Sequence, residues 1–116
     1  MRLHLHAASI AVPVLLAACG PDFTPVEDAC KRWVDEHNSL ECVAPADSLN
    51  PATTCDLESE EKKPAELKKC ERELGCDPAP ILERYVDFYQ CSADTAFCDG
   101  ESPLIANSCS ESLSAP

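Results

Sequence analysis

The sequence predicts a small all-α domain of about three helices, stapled by disulfides and joined by long loops. Three observations predict it. Apolar residues recur at three- and four-residue spacing in several segments, the period of a half-buried helix. No stretch alternates long enough to make a strand. The 116 residues hold nine cysteines but only one tryptophan, two tyrosines and three phenylalanines. A core so poor in large side chains needs covalent support.

The first helix starts at Thr24. Thr24 reads as an N-cap, Pro25 as the first helical residue, and Glu27 as the third member of a capping box. Val26, Cys30, Trp33, Val34 and His37 then form one apolar stripe, with Lys31, Arg32, Asp35 and Glu36 away from it. The helix ends near Asn38 or Leu40. Residues 43–54 are polar, carry Pro45 and Pro51, and read as loop with a helical turn after Asp47; residues 56–63 are a charged run without apolar periodicity. A second helix spans about Pro64 to Leu74, with Leu67, Cys70 and Leu74 on one face and Gly75 as its C-terminal cap. The third begins with Asp77 as N-cap and Pro78 at its first turn. Ile81, Leu82, Tyr85, Phe88 and Tyr89 give it the widest apolar face in the chain, running to about Cys91 or Ala93. Residues 102–105 read as one last turn before Cys109, and 110–116 as a frayed tail.

Residues 1–18 have the layout of a signal peptide. Arg2 supplies a positive start, Ala7 to Ala18 an apolar run of about twelve residues, and Ala17 and Ala18 a small-residue cleavage site. That run is too short for a bilayer, which needs about twenty residues. Leu16-Ala17-Ala18-Cys19 resembles the lipobox of bacterial lipoproteins. The resemblance implies that Cys19 is alkylated with diacylglycerol and becomes the first residue of the mature chain, bound to the membrane through its lipid. Gly20 follows where an aspartate would favour the inner membrane, so the implied address is the outer membrane, on its periplasmic face or at the cell surface. Cleavage there leaves 98 of the 116 residues, and loss of Arg2 takes the net charge from −12 to −13. The expected layout is leader 1–18, lipidated tether 19–25, cysteine-rich helical domain 26–109 and tail 110–116.

Assigning Cys19 to the lipid leaves eight cysteines, an even number suited to four bridges in an exported chain. Eight allow 105 pairings. Packing the first and third helices antiparallel selects one set: Cys30–Cys91, Cys42–Cys76, Cys55–Cys70 and Cys98–Cys109. No Cys-x-x-Cys pair exists for thiol redox chemistry, and no short cysteine pair joins His37 to make a zinc site. No metal or other cofactor is expected.

The acidic balance repels phosphate backbones, so nucleic acid is not expected as a partner. No acidic loop has calcium-binding spacing, no serine lies in a Gly-x-Ser-x-Gly turn, and no carboxylate pair stands out. His37 is expected to pack or to cap its helix, and Trp33, Tyr85, Phe88 and Tyr89 to form core. An exposed Tyr89 or Phe97 would instead mark a partner-binding patch.

From Cys30-Lys-Arg-Trp-Val-Asp-Glu-His-Asn-Ser-Leu-Glu-Cys42, through Cys76-Asp-Pro, Tyr85 to Tyr89, Cys91 and Cys98-Asp-Gly, the chain resembles small cysteine-rich lipoproteins of the myxobacterial type. The likeness covers roughly Cys30 to Cys109. It implies lipid anchoring and disulfides, and supplies no catalytic residues. The expected role is a non-enzymatic structural or binding module of the cell envelope with an envelope protein as partner. The alternatives are a thiol-redox or other small envelope enzyme, and a secreted-type inhibitor or ligand domain.

Overall fold

The computed structural model describes residues 20–114. The leader, the lipidation of Cys19 and the last two residues of the tail lie outside the described residues.

Five α-helices occur among them: α1 (Thr24–Asn38), α2 (Pro51–Thr54), α3 (Ala65–Glu71), α4 (Ala79–Thr95) and α5 (Glu111–Ser114). Two strands, β1 (Phe97–Asp99) and β2 (Ser102–Leu104), form an antiparallel hairpin, and short 3-10 turns occupy Pro45–Asp47 and Asn107–Ser110. The fold is mainly helical and disulfide-stapled, but the hairpin makes it less than purely all-α.

Both long helices open the same way. Asp22 Oδ1 accepts the Thr24 amide at 3.0 Å, and Asp77 Oδ1 accepts the Ala79 amide at 3.0 Å. In Asp22-Phe-Thr-Pro25 and Asp77-Pro-Ala-Pro80 an aspartate two residues ahead meets an unpaired helical amide. The expected Thr24–Glu27 capping box does not form. Thr24 already lies inside α1, and Phe23 occupies the N-cap position without a side-chain bond. The Glu27 amide that the Thr24 hydroxyl was expected to hold donates instead to the Phe23 carbonyl at 2.9 Å, as part of the helix.

The two long helices lie side by side and point in the same direction. Val26 shares a cluster with Leu82, Trp33 stacks near Tyr89 with ring centroids 5.9 Å apart, and Arg32 pairs with Asp94. Contacts thus advance along α4 as they advance along α1. Residues 39–78 must therefore return from the end of α1 to the start of α4. That return buries Leu57 and Leu67 against Phe23, Val26, Ile81 and Leu82. A second cluster of Cys30, Val34 and Cys55 packs with Leu49 and Trp33, and Tyr89 touches both clusters. The Asn38 side-chain amide closes the first part of the return, donating to Leu49 O at 3.0 Å and accepting from Leu49 N at 2.9 Å. Lys63 ties the charged run to α3 through Glu71 at 2.7 Å, and Arg84 of α4 pairs with Glu66 of α3.

Parallel helices overturn the expected disulfide set. All eight described cysteines are bridged, as Cys30–Cys55, Cys42–Cys98, Cys70–Cys76 and Cys91–Cys109. None of Cys30–Cys91, Cys42–Cys76, Cys55–Cys70 and Cys98–Cys109 forms. The antiparallel premise placed Cys42 at the start of α4. In the parallel arrangement Cys42, just past α1, meets Cys98, just past α4. Cys30 faces the returning segment at Cys55, and the chain after β2 folds back so that Cys109 reaches Cys91.

Three other expectations change. Leu74 is fully exposed, because α3 ends at Glu71 and Gly75, at φ 78°, turns the chain to close the Cys70–Cys76 loop. Residues 102–104 of the expected turn at 102–105 form a strand, and 111–114 are helical rather than frayed.

Candidate functional site

The parallel pair gives the domain two ends of different chemistry. α4 has 17 residues, so the ends lie about 25 Å apart at ~1.5 Å per residue.

At the N-terminal end of both helices lies an open groove of about 470 Å³. Its apolar walls come from Pro21, Pro25, Val26, Pro78, Leu82 and Val86. Three carboxylates join them, Asp22, Asp77 and Glu83, and among the described residues no basic side chain does. Asp22 and Asp77 are held there by their capping bonds. The Thr24 amide keeps the Asp22 carboxyl below its usual pKa, so it stays charged. Gly20, the first described residue, belongs to the groove wall with φ 92°.

At the other end a cavity of about 360 Å³ opens between α1 and the hairpin, lined by Trp33, His37, Leu40, Pro103, Leu104 and Ile105. His37 tilts against Trp33, ring centroids 5.7 Å apart. The buried Trp33 Nε1 has no hydrogen-bond partner among the described residues. Beside the cavity Phe97 and Leu104 sit directly opposite in the hairpin, so their side chains share a face. They are 45% and 42% exposed, which makes a paired apolar surface. Pro103 brings no N–H, so this strand makes a poor template for adding another. Side chains, not backbone edges, are what the hairpin offers a ligand.

Of the residues singled out from the sequence, Tyr85 and Tyr89 pack as expected, and burial raises the pKa of both phenols. Phe88 meets Tyr89 edge-on at 5.2 Å. Phe97 is exposed, the condition under which it marks a patch. Leu104 and Pro103 were missed. The available cue was Gly100-Glu101, a two-residue loop with glycine first, between Asp99 and Ser102. Gly100 takes φ 64°, which its missing Cβ permits at the first loop position. Among the described residues no group of three or more His, Cys, Asp or Glu side chains is placed to hold a metal ion, and no helix is long and apolar enough to cross a membrane. Compared with known proteins, the chain matches no family model, no curated protein and no solved structure.

Proposed function

We propose that this chain is an exported lipoprotein, anchored through Cys19 to the outer membrane, whose stapled domain is a non-enzymatic binding module. The observation that carries the binding role is the exposed pair Phe97 and Leu104. Two large apolar side chains sit on one face of a hairpin, beside a cavity and far from the tether. Solvent exposure of such a pair costs solubility and brings the fold nothing. A hairpin this short is held in place by Cys42–Cys98, so its residues arrive at a partner already ordered, which lowers the entropic cost of binding. Anchoring adds effective concentration at the membrane, so a modest affinity suffices. The thiol-redox alternative needs a free thiol, and every described cysteine is bridged. A ligand or inhibitor domain is the second reading, because a protruding apolar hairpin suits that use as well.

The test is site-directed photocrosslinking in intact cells. Benzoylphenylalanine in place of Phe97 is expected to give a discrete adduct with an envelope protein. The same probe in place of the exposed Leu74, at the other end of the fold, is expected to give none. Equal adduct patterns from both positions would sink the binding role. A secreted hydrolase in the adduct would select the inhibitor reading.

A further inference from the structure

We infer that the groove between the N-terminal ends of α1 and α4 binds one acyl chain of the lipid carried on the protein's own Cys19. This rests on the lipoprotein reading proposed above. The groove is a feature the binding role does not use, and its position is its first credential. Gly20 forms part of its wall, and one peptide bond separates Gly20 from Cys19. Its size is the second. About 470 Å³ falls within the roughly 300–1,000 Å³ of small-molecule pockets. Three prolines in its walls, Pro21, Pro25 and Pro78, hold the backbone rigid, so the groove is formed before anything enters it.

Charge selects the occupant. Asp22, Asp77 and Glu83 accompany the apolar walls, and among the described residues no cation does. A free fatty acid or a phospholipid would bring its carboxylate or phosphate against these three anions. The helix N-termini relieve this repulsion only in part, since the Thr24 and Ala79 amides are already bonded to Asp22 and Asp77. An acyl chain joined through glycerol to a cysteine thioether carries no charge, and it enters from the end of the groove where the protein is attached. A basic apolar peptide would satisfy the same charges, but it lacks the covalent route. Of the candidate occupants, only the chain on Cys19 is both uncharged and tethered at the groove mouth.

The experiment uses the full chain expressed in cells fed a photoactivatable fatty acid. The purified protein is placed in vesicles of unlabelled phospholipid, so that the probe resides on Cys19 alone. Intact mass is read first, and adducts are mapped by peptide analysis after irradiation. The expected result is a mass beginning at Cys19 with acyl additions, and intramolecular adducts on Val26, Leu82 or Val86. Ala79→Trp places a ring at the exposed groove edge and is expected to lower that adduct yield about tenfold, the effect of denying burial to about two methylenes. A lipidated mass whose adducts fall only on vesicle lipid overturns the groove assignment and leaves the anchor standing. A mass without acyl groups overturns both. Adducts that persist unchanged in the Ala79→Trp protein overturn the assignment even where they map to the groove.

Discussion

Two leucines show how far residue identity alone carries the reading of this chain. Leu57 stands in a charged run without periodicity, yet it is 5% exposed and packs with Val26 and Leu67. Leu74 stands at the end of an apolar helical stripe, yet it is fully exposed. Leu57→Ala is expected to cost about 3 kcal/mol in denaturant unfolding, the scale of an apolar truncation in a core. Leu74→Ala should stay within about 0.5 kcal/mol. Neither environment was legible in the sequence, because periodicity reports burial only inside a regular element and Leu57 has none. Glu27 shows a related effect in electrostatics. Partial burial raises its pKa from 4.5, and the neighbouring Glu58 and Asp56 raise it further. The folded state therefore holds this proton more tightly than the unfolded chain does. Stability from this group is present at acid pH and is lost as pH rises through the folded pKa. Glu27→Gln should thus stabilise the protein at pH 7, by a few tenths of a kcal/mol at so exposed a site, about the scale of a surface pair. The gain should vanish in melts run below about pH 4.

At the scale of elements, the long helices were legible and their relation was not. α1 begins and ends within two residues of expectation, since its stripe and its prolines are local signals. Direction of packing is a tertiary property. Antiparallel neighbours follow when the connection is short. Here the connection is residues 39–78, long enough to return along the whole of α1 and to carry four cysteines of its own, Cys42, Cys55, Cys70 and Cys76. The cysteine count and the bridging of the eight described cysteines were readable, while the pairing depended on that one choice of direction. Cys42–Cys98 closes a separation of 56 residues, against 6 for Cys70–Cys76. Loop-closure entropy then ranks their contributions at about 4 and about 2 kcal/mol. Replacing both cysteines of each bridge by serine should reproduce that order in thermal unfolding. Peptide mapping without reduction should recover Cys42 linked to Cys98, and a Cys42–Cys76 peptide would restore the antiparallel packing.

For the whole molecule, the parallel pair puts the groove and the hairpin at opposite ends, and with the proposed lipid on Cys19 a short tether would decide which end meets the membrane. Only Gly20 to Phe23 separate Cys19 from α1, and Phe23 is already part of the core. Four residues reach at most about 14 Å. Under the proposed anchor at Cys19, that is short of the ~25 Å length of α4, so the tether would hold the domain with its groove end toward the bilayer. Phe97 and Leu104 would then face the aqueous phase, where a protein partner can reach them. The sole tryptophan reports on the arrangement, because Trp33 stands beside the hairpin cavity, about 13 Å along α1 from its first residue at ~1.5 Å per residue. In vesicles carrying the lipidated protein, replacing ordinary phospholipid by its chain-brominated form should leave Trp33 emission unchanged. Strong quenching would mean that the Phe97–Leu104 face inserts into the bilayer, and the hairpin would then be a second membrane contact instead of a surface for a protein.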